Sequence, residues 1–183
     1  MAASGAVALY HVEGVTPEAH DPGIIAPKAD TFAIESLAEG YAALNTAAPP
    51  SPTTPGVLRK GKGEKIDLVW IGCPHASLDE LAQVIELLAG RHVRAALWVT
   101  MAREVRAQAE KAGMVAAIEA HGGQVVADTC LVVAPVKELG FRRIATPSGK
   151  GAYYALNHSG LAVHYGPLKA CIEAAVTGKW KWA

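Results

Sequence analysis

Apolar positions along this chain alternate between short continuous runs and stripes at helical spacing. Ile66-Asp67-Leu68-Val69-Trp70 is the run of a buried strand, and beyond the turn from Ile71 to Ser77, positions Leu78, Leu81, Ala82, Val84, Ile85 and Leu88 trace one face of a helix. Ser77 followed three residues later by Glu80 predicts a capping box at that helix's start. The alternation continues with a strand over 94–100 and helices over 102–112 and 115–121. Gly122-Gly123 stops the second of these helices, and a strand follows over 124–127. A strand over 142–146, a helix over 152–156, a strand over 161–165 and a helix over 168–176 complete the series. Repeated strand, loop and helix units imply an α/β fold, with a mainly parallel sheet covered by helices on both faces.

The N-terminal third reads differently. Residues 6–12 have strand character from almost the first residue, 13–18 form a polar turn, and Phe32, Ile34, Leu37, Ala38, Tyr41 and Leu44 predict an amphipathic helix capped by Asp30 or Thr31. Pro49, Pro50, Pro52 and Pro55, then Arg59, Lys60, Lys62 and Lys65 among glycines, mark an extended connector. The resulting division is 1–45 for the N-terminal strand, loop and helix, 46–65 for the connector, and 66–183 for the α/β core.

Composition narrows the function classes. Lys+Arg and Asp+Glu balance at 17 each, which gives no basic field for nucleic acid or an anionic membrane. No apolar stretch approaches the roughly 20 residues of a spanning helix. The chain therefore reads as cytoplasmic, with no nucleic-acid or membrane partner. Three cysteines suit reduced thiols better than a disulfide framework.

Chemistry concentrates at predicted strand ends. Cys73-Pro74-His75 follows the first core strand, Asp128-Thr129-Cys130 follows the third, and Ser148-Gly149-Lys150 follows the fourth; Cys171 lies a few residues past the last. In a parallel sheet these ends share one edge. Placement ahead of a helix N-terminus is expected to lower the Cys73 pKa. The residues leave several readings open. Three converging thiols suit an iron or iron-sulfur site, yet free cysteines are commonly just buried, and no Cys-x-x-Cys spacing occurs. Cys73 with His75 also suits a nucleophile and its base, and His75 suits plain packing equally well. Ser148 with Lys150 suits an anion, or an ordinary turn. Trp180 and Trp182 are expected to cover an exposed edge, and His92, His121 and His158 to lie at the surface.

Several motifs taken together carry a resemblance. Ile71-Gly72-Cys73-Pro74-His75-Ala76-Ser77-Leu78, Asp128-Thr129-Cys130, 146–154 (TPSGKGAYY), 9–18 (LYHVEGVTPE) and Cys171-Ile172-Glu173-Ala174-Ala175 make the chain similar to the large subunit of aconitase X, over the C-terminal half of that subunit. The resemblance implies an aconitase-like α/β catalytic domain, here incomplete. It also implies a hydro-lyase acting on a small hydroxy acid, cis-3-hydroxy-L-proline in the first instance and phosphomevalonate as the alternative. A further alternative is an inactive remnant without metal. The implied cofactor is an iron or iron-sulfur centre, either 2Fe-2S or mononuclear iron, held by Cys73, Cys130 and Cys171. His75, Ser148 and Lys150 become catalytic candidates, and His11, Glu13, Thr16 and Ser77 become substrate contacts. A swivel-domain small subunit, or a complementing N-terminal half, is the implied partner and the source of the catalytic base. The family pattern at 146–148 is often Thr-Asn-Ser or Thr-Asp-Ser, where this chain has Thr146-Pro147-Ser148.

Overall fold

The computed structural model of the chain describes residues 10–21, 23–25, 27–36 and 63–181. The chain divides into two units, Met1–Gly40 and Tyr41–Ala183. In the second, five strands form one parallel sheet: β1 (Leu68–Ile71), β2 (Ala96–Met101), β3 (Gly123–Ala127), β4 (Arg143–Thr146) and β5 (Ala162–Tyr165). Their helices are α1 (Leu78–Leu88), α2 (Arg103–Lys111), α3 (Met114–Glu119), α4 (Gly149–Asn157) and α5 (Leu168–Thr177). The strand order is β3-β2-β1-β4-β5, with Leu68 facing Ala96 on one side and Ile144 on the other. The fold is thus the α/β class that the alternating pattern predicts.

The order reverses at β1. Successive crossovers first step from β1 outward to β3, then the chain returns to the opposite side of β1 and steps outward again to β5. Because such crossovers share one hand, the reversal puts helices on opposite faces. On one face, Leu81, Val84 and Leu88 of α1, Ala109 of α2, Val115 and Ile118 of α3, and Ile172 and Ala175 of α5 pack on Val69, Ile71, Leu97 and Val99. On the other, Ala152, Ala155 and Leu156 of α4 join Leu131 and Val136 over Leu68, Trp70, Ile144 and Val163. All four residues of β1 are buried, which accounts for its continuous apolar run.

The ends of the elements follow local chemistry. The capping box at α1 forms: the Glu80 amide donates to Ser77 Oγ at 3.2 Å, and the Ser77 amide donates to Glu80 Oε2 at 2.9 Å. Helix α4 begins at Gly149, three residues before the apolar stripe suggests, because Ser148 caps it by accepting from the Gly151 amide at 2.9 Å. Gly149 and Gly151 carry no side chain to signal a helical face, so the stripe alone misses this first turn.

The end of the Pro/Gly/Lys-rich connector is not extended chain. Lys65 bridges Lys179 in antiparallel fashion, the Gly63 amide donates to the Trp180 carbonyl at 2.6 Å, and the Trp180 amide donates to the Glu64 carbonyl at 2.9 Å. Trp180 is 2% exposed, stacks on the buried His164 ring with centroids 5.1 Å apart, and joins the α5-side core. Trp182 lies outside the described residues, as do 46–62. His92 and His158 are exposed, while His121 is half-buried.

In the N-terminal unit, Tyr10–Val12 is not a strand, a 3-10 turn spans Pro17–His20, and 31–36 is irregular rather than helical. Residues 6–9 of the expected strand and 37–44 of the expected helix lie outside the described residues. Among the described residues, no helix is long and apolar enough to cross a membrane.

Trp180→Ala removes a large, fully packed side chain and its stacking on His164, while leaving the backbone clasp of Gly63–Lys65 its own donors and acceptors. It is expected to lower stability by about 3–5 kcal/mol, read as the shift in the urea unfolding midpoint at unchanged slope.

Candidate functional site at the strand-order reversal

In open parallel sheets the reversal of strand order leaves a crevice beyond the strands' C-terminal ends, since the two flanking connections leave to opposite faces. Here the crevice lies between β1 and β4. The residues entering it are Gly72-Cys73 after β1 and Pro147-Ser148 after β4.

The β1 turn is built by close approach to β2. Gly72 has φ +108°, and a Cβ there would lie 2.1 Å from the Thr100 carbonyl oxygen, so only glycine fits. Thr100 is fully buried, and its Oγ1 donates to the Gly72 carbonyl at 2.9 Å while accepting from Trp70 Nε1 at 3.1 Å. The Thr100 carbonyl accepts from the Ala76 amide at 2.8 Å. Between these pins stand Cys73, joined to Pro74 by a cis peptide, and His75.

Across the crevice, the Ser148 hydroxyl donates to the Cys73 carbonyl and accepts from the Gly151 amide. One hydroxyl therefore caps α4 and ties the two sides of the crevice. Cys73 is 7% exposed. Burial raises its pKa; a hydrogen bond from Ser148 and the Lys150 ammonium oppose this, and the Cys130 thiol adds to it. The lowering expected from the helix start is thus overturned: α1 begins only at Leu78, and desolvation dominates.

The β3 end is held to the same edge. His75 Nε2 lies 2.9 Å from the Thr129 carbonyl oxygen, and donates when that nitrogen carries the proton. Asp128, at φ +55°, accepts from the Arg103 amide at 3.0 Å and from Arg103 Nε at 2.7 Å, capping α2 from another element. The Arg103 contacts hold the exposed Asp128 carboxyl below its usual pKa. Cys130, half-exposed, follows directly.

Cys171 is placed differently. It lies within α5, fully buried in the core, with its thiol 3.6 Å from the Gly166 carbonyl. Burial pushes its pKa far up. Thiols are the donors that iron and iron-sulfur centres take, and Cys73 and Cys130 stand within electrostatic reach of each other at the edge. Cys171 is enclosed in the core instead. Among the described residues, no three His, Cys, Asp or Glu side chains are grouped to hold a metal ion. Two of the three thiols therefore fit such a group in kind and place, and the third fits in kind alone.

Ser77 spends its hydroxyl on the α1 cap. His11, Glu13 and Thr16 lie in the N-terminal unit, where Thr16 Oγ1 accepts from the Val12 amide at 2.9 Å and donates to the Val12 carbonyl at 3.1 Å. Thr100, the Gly72 contact with it, the Trp70 indole donor and the pairing of Asp128 with Arg103 are what the sequence reading left unassigned. A threonine in an otherwise apolar strand was the available signal for Thr100.

Comparison with known proteins places this geometry in a family. The family model for the aconitase X third domain matches residues 66–177. The chain is 37% identical over 175 residues to the phosphomevalonate dehydratase large subunit of Methanocaldococcus jannaschii, covering 94% of this chain and 40% of that one. It is 38% identical over 187 residues to the cis-3-hydroxy-L-proline dehydratase of Pseudomonas aeruginosa, covering 96% of this chain and 30% of that one. Among solved structures, the holo-form of aconitase X from Thermococcus kodakaraensis matches with a TM-score of 0.57 at 39% identity, over 61% of this chain and 29% of that one. The chain thus spans well under half the length of these relatives.

Gly72→Ala forces both a positive φ and an overlap with backbone, and is expected to destabilise by about 3 kcal/mol or more. Gly90→Ala is the control: its φ is +74°, but nothing lies within 4 Å of the added Cβ. Its cost is expected near 1 kcal/mol. Denaturant midpoints of the two variants, measured side by side, check the difference.

Proposed function

The chain belongs to the aconitase X family, and on that premise we propose that it supplies one wall of a dehydratase active site, centred on the β1/β4 crevice. The observation that carries the reading is the convergence of Cys73, Ser148 and Lys150 at the strand-order reversal, in a chain whose relatives are named as dehydratases. The reaction is elimination of water: a carbon-bound proton and the hydroxide on the neighbouring carbon leave the substrate together.

Several roles follow from the chain's own groups. Lys150, in the first turn of α4 at the positive end of that helix, suits the carboxylate of a small hydroxy acid. Ser148 holds the Cys73 turn against α4 and so fixes the spacing between the thiol and that anion position. His75 is the titratable ring at this edge able to give a proton to the departing hydroxide. An iron or iron-sulfur centre, with Cys73 and Cys130 as ligands and the core-buried Cys171 as a third that fits in kind but not in place, would supply a Lewis acid for the leaving hydroxide. His11, Glu13 and Thr16 belong to the other unit and Ser77 to the α1 cap, so the crevice is read without them, and the base that removes the carbon-bound proton comes from outside the chain.

A complementing partner belongs to the same reading. The chain covers 40% of the Methanocaldococcus relative, and that relative is named as a large subunit. Exposed apolar side chains are plentiful: Phe32 and Ile34 in the N-terminal unit, each 79% exposed, and Val133 in the second unit at 72%. Burying such side chains against a further chain or domain is the ordinary use of surface of this kind. Cis-3-hydroxy-L-proline is the substrate of the first reading. Phosphomevalonate is the second, favoured by the 37% identity to the archaeal large subunits and by a helix N-terminus with Lys150, which suits a phosphate as well as a carboxylate.

The test is a dehydration assay with each substrate, using the chain alone and the chain combined with the remaining portion of the Pseudomonas aeruginosa relative. Turnover of one substrate in the combination is expected, and turnover of neither would overturn the proposal. In the active combination, Lys150→Met is expected to lower kcat/KM by about ten- to a hundredfold, the worth of one charge-assisted hydrogen bond.

A further inference from the structure

We infer that Thr100, on β2, is the positioning residue for Cys73: it clamps the thiol's turn at both ends and so sets how far that thiol is withheld from solvent. The inference rests on reading Cys73 as a working residue of the crevice, and adds a residue from a different strand to that site.

The geometry is a two-point clamp by one residue. The hydroxyl of Thr100 takes the carbonyl of Gly72, immediately before Cys73, and its own carbonyl takes the amide of Ala76, three residues after Cys73. Trp70 Nε1 donates to the same hydroxyl, which commits its single proton to the turn. The Ile71 carbonyl, at 3.3 Å, is a further acceptor within reach, and it belongs to the same turn. Thr100 is fully buried, so no water substitutes for a lost partner without cost. Gly72 lets the two backbones touch, and a larger residue would push the turn off the clamp. A threonine that only filled space in β2 would need neither the hydroxyl's direction nor the indole donor above it.

Removing the hydroxyl while keeping the shape frees one end. Thr100→Val leaves the Gly72 carbonyl and the Trp70 N–H unpaired, and Thr100→Ser retains the hydroxyl. The readout is the rate of iodoacetamide alkylation of each cysteine in the full chain, followed by peptide mass spectrometry well below the unfolding temperature. Cys130 and Cys171 serve as internal references. Thr100→Val is expected to speed Cys73 alkylation about tenfold, as loss of one buried hydrogen bond would. Cys171 is expected to change little, and Thr100→Ser to stay within about twofold of the unmodified chain. Unchanged Cys73 alkylation in Thr100→Val, equal acceleration of all three cysteines, or a serine variant as fast as the valine one would each overturn the inference.

A second measurement needs no variant. By hydrogen exchange on the unmodified chain, the Ala76 amide is expected to be protected to the level of Val99 in β2. Exchange as fast as the exposed Gly90 amide would also overturn the clamp. Both readouts are independent of turnover, so an inactive but correctly clamped chain would count against the proposed reaction and leave the clamp standing.

Discussion

The close contact between the turn after β1 and the end of β2 is the constraint on which the candidate site depends. Gly72 meets Thr100 backbone to backbone, and that contact decides where Cys73 and His75 go. From there the dependence spreads outward. The Cys73 carbonyl takes the Ser148 hydroxyl, the same hydroxyl starts α4, and the start of α4 puts Lys150 beside the thiol. On the other flank, His75 reaches the Thr129 carbonyl and holds the β3 turn, with Cys130, to the same edge. Three strand ends are thus joined by side chains, and one of them, Ser148, also starts a helix. Stability and site geometry here draw on the same bonds, so a change to one alters the other.

The reversal of strand order gives this cluster its position. Strands β1 and β4 are neighbours whose following connections leave to opposite faces, and the ends beyond them stay open. The thiol that opens onto this crevice is 7% exposed and burial raises its pKa, which disfavours the thiolate that a free nucleophile needs. The Cys/His nucleophile reading suggested by Cys73-Pro74-His75 is correspondingly weakened, because the His75 nitrogen is turned to the Thr129 carbonyl.

Much of the fold was legible because the parallel strands are buried on both faces and read as unbroken apolar runs. The α1 stripe and the Ser77–Glu80 box gave that helix to the residue. The start of α4 was not legible, since glycines at 149 and 151 show no periodicity, and Ser148 announces a cap only when its partner amide is known. The clasp of Gly63–Lys65 with Lys179 and Trp180 was hidden by composition, because lysines and glycines read as connector while the pairing is made by backbone. At the site, the motifs named the thiols, the serine and the Asp128-Thr129 turn, and tertiary contact alone supplied Thr100, the Arg103 partner of Asp128 and the Thr129 carbonyl as the acceptor for His75. The enclosure of Cys171 beneath Gly166 could not be seen from spacing, since a helix position near a strand end faces the edge or the core according to packing.

In the proposed reaction, Cys73 and Cys130 act together as the thiols that would hold iron at this edge. Iron K-edge X-ray absorption on the anaerobically reconstituted chain, combined with its complementing portion, tests that most directly. The account predicts iron–sulfur scattering in the unmodified chain that is lost in both Cys73→Ser and Cys130→Ser. A preparation that takes up no iron, or one whose iron–sulfur scattering survives in both variants, would contradict it.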